Sequence, residues 1–550
     1  MLALLLSSLL SLFMFFVFGT FVTKVAKLPA NFTEKLLMGL VIANTVASVL
    51  SLFLAINGTV LLGLLVLCLL LIFFIWQELT ALLTLSADKK NVLLLSLPFI
   101  AIAYIISLNA PANYDTGLYH IQSIEWIEAY PVVPGLANLH GRFGFDPNIF
   151  TFFALTSLSG LFKQAIFSVN FTVFSVLTGY FISALYSLYK AKGFSGLLVF
   201  FLLVFLTMIF LYDNLSSPTP DFLSITIPLF ILSRVIQLAE RKELSLNHFI
   251  PIIILSVYIL TTKMATIPAL LLVVCLCYKY KAETKKLLVL VPVLALIVLP
   301  WLIRNVILSG WLIYPFPSLN LFSFDWQVPV AKVIAEKAAV TGWARSPNAG
   351  YVAAAKMDFA TWFPLWCRQL TLQGKLLFSA ALCCPIFIFI SQLFRKNNIG
   401  FLKNIVVITS FAGVVFWLFL APEFRFGQAF IVFSAISPLL LIPCKTVVGK
   451  KPLSLFALLM LGFLFIQLFT GKNYVLNAAY QIKKLAIRPQ LIQTPANLTF
   501  KAYLINGTVI YAPVKSDKCY CHIIPCAAHI DSTITLRGQN IAEGFAIKQK

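Results

Sequence analysis

Apolar runs of roughly 16 to 24 residues recur along most of the chain, and a run of about 20 is what an α-helix needs to cross the hydrocarbon core of a bilayer. Inside that core every backbone N–H and C=O must be satisfied without water, which leaves helices and closed barrels as the only spanning structures. The alternating pattern of barrel strands is absent. With 60% hydrophobic and 11% charged residues, a water-soluble domain is excluded. The expected fold class is an all-α polytopic membrane protein, with spans near 1–22, 36–56, 59–77, 91–109, 165–188, 194–212, 222–239, 246–262, 267–279, 287–304, 374–394, 403–421, 428–443 and 452–470.

The net charge of +22 would suggest a nucleic-acid partner if the basic residues formed one stripe. Instead they fall between apolar runs, so no nucleic acid is implied and the bilayer itself is the partner. Lys24, Lys27 and Lys35, Lys89 and Lys90, Lys190 and Lys192, Arg234, Arg241 and Lys242, the lysines from Lys279 to Lys286, Arg395, Lys396 and Lys403, and Lys445, Lys450 and Lys451 mark cytoplasmic ends. The complementary segments are expected outside: 111–148, "DNLSSPTPD" at 213–221, "TTKMAT" at 261–266, about 305–373, "APEFRFG" at 421–427, and everything after 471. Both termini are then extracytoplasmic. Keeping this alternation requires 147–162 ("PNIFTFFALTSLSGLF") to be an interfacial or re-entrant helix.

Chemistry-bearing residues concentrate in the outer segments. Asp115 opens a short amphipathic helical pattern that places Tyr119, Gln122 and Trp126 on its own face. Two readings stand side by side: Asp115 is a helix N-cap, or it is a carboxylate poised to take a proton from an acceptor hydroxyl or amine. His120, Glu125 and Glu128 project from the same pattern on differing faces; for Glu125 a second acid and a solvated helix face are the alternatives. "GLANLHGRFGFDPN" brings His140 and Arg142 into a glycine-rich stretch, either an ordinary turn or a place where Arg142 grips a phosphate. Asp213 and Asp221 bound "DNLSSPTPD", as turn and cap residues or as oxygen ligands to a divalent cation such as Mg or Mn.

Lys263, Arg304 and Arg425 sit against the positive-inside trend. A cation held there needs an anion: Glu423 for Arg425 locally, or a lipid-linked phosphate. In the tail, "YLINGTVIYAPV" alternates like a strand pair. "DKCYCHIIPCAAH" lacks firm zinc spacing, and a structural Cys519–Cys526 disulfide is the pairing expected of an oxidising compartment, with Cys521 unassigned.

"NYDTGLYHIQSIEWIEAYPVVPGLANLHGRFGF", with "RNVILSGWLIYP", "APEFRF" and "DKCYC", then "LRGQNIAEGFAIK", resembles a family of bacterial multi-pass membrane proteins from about residue 90 to the C-terminus. In layout it is similar to the GT-C glycosyltransferases, which include protein mannosyltransferases and the lipid A aminoarabinose transferase. That resemblance implies three parts: N-terminal helices at 1–90 added to a core, a GT-C-like core at 91–470 with outer loops 110–147 and 305–373, and an extracytoplasmic segment at 471–550. It also implies an inner-membrane enzyme that moves a sugar from a polyprenyl-phosphate donor to a glycan, lipid or protein acceptor. Asp115 would be the catalytic residue, as base or metal ligand. Tyr119, His120, Glu125, Arg142, Lys263, Arg304 and Arg425 would bind substrate, Asp213 and Asp221 a metal, and Trp343 and Trp362 would cover the sugar. The sequence departs from the GT-C pattern in having about four spans before the acidic loop and a single Asp in "NYDTG". The alternatives are a polysaccharide polymerase or ligase, and a transporter or flippase of lipid-linked saccharides.

Overall fold

The computed structural model describes residues 1–83, 86–111, 113–192, 195–346, 350–395, 399–442, 452–487 and 498–548. Lys396, Lys445, Lys450 and Lys451 lie outside the described residues. Among those described, nine helices are long and apolar enough to cross a membrane, and five shorter apolar helices accompany them. The chain is a polytopic helical membrane protein.

Burial separates the centre of the bundle from its rim. The helix Asp221–Ala239 has 89% of its apolar window buried, whereas the segment Lys281–Ser309 has only 22% buried and turns Leu288, Val289, Leu296 and Leu299 outward. Exposed leucines of that kind are expected where the surrounding solvent is lipid. The first two helices, Leu2–Val25 and Phe32–Leu50, pack closely through glycine: a Cβ on Gly19 would lie 1.7 Å from the Lys35 carbonyl oxygen, and one on Gly39 1.9 Å from that of Phe15. Small residues are how helices approach where no water drives them together.

These first helices pack into the bundle through buried hydrogen bonds. Ser7 Oγ donates to the Thr156 carbonyl at 2.6 Å, and Asn44 Nδ2 reaches the Asn148 carbonyl at 3.0 Å while Tyr258 donates to Asn44 Oδ1 at 2.7 Å. Glu34 closes a capping box with Asn31 and also pairs with Arg234 at 2.7 Å, both side chains buried.

The segment 147–162 forms a seven-residue helix, Ile149–Leu155, then a break at Leu158 (φ 52°) and the turn Ser159–Phe162. At 1.5 Å per residue the helix extends only about 10 Å, too short to cross. It does, however, place Asp146 and Pro147 beneath the 111–145 loop. Beyond the bundle, the helix Tyr474–Ile487 lies against Ala87–Ser107, and Gln481 donates to the Leu108 carbonyl at 2.9 Å. The tail follows: β1 (Phe500–Ile505) and β2 (Thr508–Pro513) form an antiparallel hairpin through Asn506 and Gly507, both at positive φ as a two-residue turn requires. A second pair, β3 (Ile534–Leu536) and β4 (Phe545–Ile547), is also antiparallel. Cys519 and Cys526 are disulfide-bonded, with Cα atoms 6.0 Å apart.

Removing one partner of the Glu34–Arg234 pair strands a buried charge. Arg234→Ala is expected to cost about 3–5 kcal/mol in detergent unfolding, while Glu34→Leu combined with Arg234→Met costs less than either single change.

Candidate functional site

Three helix ends and the 111–145 loop converge at one end of the bundle. Asp221 is the first residue of its helix, where the partial positive charge of free N–H groups favours a carboxylate. Lys263 follows the last residue of Ile250–Thr262, where free carbonyls favour a cation. Arg425 is the second residue of Phe424–Ile436. Asp115 is the second residue of the helical stretch that begins at Tyr114, becomes a π-helical turn at Thr116–His120 and then the α-helix Ile121–Ala129.

The Asp115 carboxylate does not cap its helix. It accepts a hydrogen bond from Arg425 Nη1 at 3.0 Å, across 310 residues of sequence. The same nitrogen lies 3.3 Å from Asp221 Oδ2, and Lys263 Nζ bonds the other Asp221 oxygen. Arg425 thus turns to Asp115 and Asp221 instead of its neighbour Glu423. Both cations also rest near the Phe426 ring, with Lys263 Nζ 4.0 Å and the Arg425 guanidinium carbon 5.0 Å from its centroid.

This cluster lines a cavity of about 210 Å³ whose wall also includes Tyr119, His120, Arg142, Tyr314 and Lys337. His120 is buried beside Phe150 and Tyr119, its Nδ1 3.2 Å from the Thr116 hydroxyl. Burial drives its pKa down to about 4, against the opposing pull of Asp115 and Asp221, so the ring is neutral at pH 7. Burial also raises the Tyr119 and Tyr314 phenols above their ordinary range. Arg142 lies 2.7 Å from Glu336 on the helix Val330–Arg345, the element that carries Lys337 into the wall.

Asp115, Asp221, Tyr119, His120, Arg142, Lys263 and Arg425 therefore share one cavity. Arg304 does not join them. Its guanidinium is locked to Asp146 at 2.7 and 3.0 Å and donates to Ser51, with both charged side chains buried, so it braces the loop from beneath. Glu125 is absent from the cavity wall; it is bonded to Gln122, and burial beside Glu128 raises its pKa well above the usual carboxylate range. Asp213 pairs with Lys472 and does not join Asp221 in the wall. A dication at Asp221 would compete with two cations already on its oxygens, and among the described residues no group of three or more His, Cys, Asp and Glu could hold a metal ion. Trp362 is buried under the Arg345 guanidinium and Trp343 packs on Tyr351, so neither covers the cavity.

Sequence reasoning missed Tyr314, Phe426, Lys337 and the role of Glu336. The last two lie on the helix Val330–Arg345, inside the long outer segment 305–373. Nothing local marks Phe426 beyond its place next to Arg425.

The model of a family described as a domain of unknown function, DUF8201, matches residues 1–432. The chain belongs to the DUF8201 family. No curated protein and no solved structure matches it. The DUF8201 match takes in all four members of the charge cluster and starts at residue 1, with the first helices included, whereas β1–β4 lie beyond its end.

The buried histidines set an acid limit for this DUF8201 protein. His120 and His140, lowered to about 4 and about 3, resist protonation when folded but accept it near 6.5 when unfolded, so stability is present above pH 6.5 and is lost as pH falls through that window. Thermal midpoints in detergent should drop between pH 6.5 and 4, and His140→Gln should flatten that drop.

Proposed function

We propose that the protein is a membrane glycosyltransferase that moves a sugar from a polyprenyl-phosphate-linked donor to an acceptor at the extracytoplasmic face. The observation that carries this reading is one cavity lined by two carboxylates and four cations, Arg142, Lys263, Lys337 and Arg425, at the ends of apolar helices. With Glu336 beside Arg142, that wall retains a net positive charge for an anionic group. Its rim of Phe145, Phe316, Leu420 and Phe426 suits a lipid chain.

In the proposed reaction, Asp115 accepts the proton of the acceptor hydroxyl or amine while the acceptor atom bonds to the anomeric carbon. The bond from that carbon to the phosphate oxygen breaks, and the departing phosphate takes the electron pair. Fixed cations in a water-poor cavity stabilise the charge that develops there, and stabilisation of that kind contributes more to the rate than any other single effect such a site offers. Arg425 links the two halves of the event. A phosphate drawing its guanidinium away from Asp115 frees the carboxylate oxygen that the acceptor needs. Asp221 keeps Lys263 in place meanwhile.

Asp115→Asn should lower transfer from a radiolabelled polyprenyl-phosphate sugar by about 10²–10⁴-fold without lowering the amount of folded protein in membranes. Arg425→Ala should weaken donor binding as well. Retained transfer by Asp115→Asn would sink the base assignment and favour a polymerase- or ligase-type reaction that depends on the cations alone. Movement of an intact lipid-linked saccharide across proteoliposomes, with no new glycosidic bond, would favour the flippase.

A further inference from the structure

The segment that carries Asp115, Tyr119 and His120 is gripped from above by the tail. The Tyr520 N–H donates to the Gly117 carbonyl at 3.0 Å, and the Gln122 side-chain amide donates to the carbonyls of Tyr520 and His522 at 3.1 and 2.6 Å. Tyr114 bonds the Asp517 carboxylate, and Lys518 Nζ lies 4.3 Å from the Tyr114 ring centroid. The contacts fall at 114, 117 and 122, on both sides of Asp115 and through the π-helical turn. Such turns have a strained hydrogen-bond ladder and need outside support.

Gly117 shows how close the fit is. A Cβ there would lie 2.8 Å from two carbons of the Tyr520 ring, nearer than any side chain tolerates, so glycine's usual penalty inside a helix is accepted to let the ring in. Tyr520 in turn sits at φ 47°, a left-handed conformation costly for a bulky residue. The loop that holds it there is closed by Cys519–Cys526. The tail also grips the facing wall of the cavity: Lys332 on the Val330–Arg345 helix pairs with Asp531 at 2.6 Å, and Arg537 pairs with Asp325 at 2.6 Å.

We propose that the disulfide-closed loop of residues 519–526 is a clasp, with Tyr520 as a positioning residue that holds the Gly117 turn and hence the Asp115 carboxylate against Arg425. The site is then fully formed only when Cys519 and Cys526 are oxidised. Its catalytic meaning rests on the transferase reading, whereas the clasp itself does not.

Hydrogen–deuterium exchange of the full chain in nanodiscs tests the clasp without any substrate. Tyr520→Ala, which removes the ring packed on Gly117, and Cys519→Ser with Cys526→Ser, which opens the loop, should both loosen the loop's backbone bonds to Gly117 and Gln122 and speed exchange in peptides spanning 114–125 by roughly five- to tenfold. Peptides spanning 221–239 should keep their protection. Tyr520→Phe, which keeps the ring and the backbone donor, should match the parent protein. Gly117→Ala should speed exchange at 114–125, and Tyr520→Ala should add little further to it. Unchanged exchange at 114–125 in both the Tyr520→Ala and the disulfide variants overturns the proposal, and so does a rise that extends equally through 221–239. Where transfer is measurable, Tyr520→Ala should lower kcat with little change in donor KM, and Tyr520→Phe should restore it. If Asp115→Asn leaves transfer intact while the exchange pattern holds, the transferase reading fails and the clasp stands.

Discussion

A single guanidinium holds together parts of the chain that share no local sequence logic. Arg425 bonds Asp115, lies within reach of Asp221, and through Asp221 is tied to Lys263. Remove that cation and two carboxylates from separate elements are left facing each other in a partly enclosed space, which is unfavourable in low dielectric. The other features of this end of the bundle can be read as arrangements that make the bridge possible. Helix termini supply a favourable local field, the Phe426 ring lies against both cations, and the buried Arg304–Asp146 pair fixes the floor on which the loop rests.

The opposite ends of the same helices carry a different kind of charge. Lys403 pairs with Glu240, Lys190 with Asp88, and Lys24 with Glu78, all partly or well exposed. Pairs like these contribute little to stability. The bundle thus has one end where four charges are coupled in a single cluster, and another where charges stand in separate pairs, among which Glu34–Arg234 is buried.

The spans were legible because a membrane writes its thickness into sequence: each apolar run anticipated corresponds to a helix, and the strand-like "YLINGTVIYAPV" is a hairpin turning at Asn506 and Gly507. The charge asymmetry also picked out Lys263 and Arg425 as cations wanting an anion. Their partners could not be read, because pairing across 42 or 310 residues leaves no periodic trace. Arg304 shows the cost of that blindness. It has the same local signature as Arg425, yet its anion is Asp146, a residue at φ 39° in a tight turn that no spacing rule connects to it. Asp115 looked like a cap because Asp before a helix usually is one. Here the π-helical turn redirects the carboxylate, and no sequence rule anticipates such a turn.

That 310-residue separation also imposes a timetable on biogenesis. At roughly 5–20 residues per second, the ribosome delivers Arg425 about 15 to 60 s after Asp115. Throughout that interval the carboxylate lacks its counterion, and several helices must insert before it acquires one. A nascent chain halted before Arg425 therefore has most of its helices made and its charge cluster incomplete. The charge cluster is thus a late product of assembly, closed only when helices from both halves of the chain are in place.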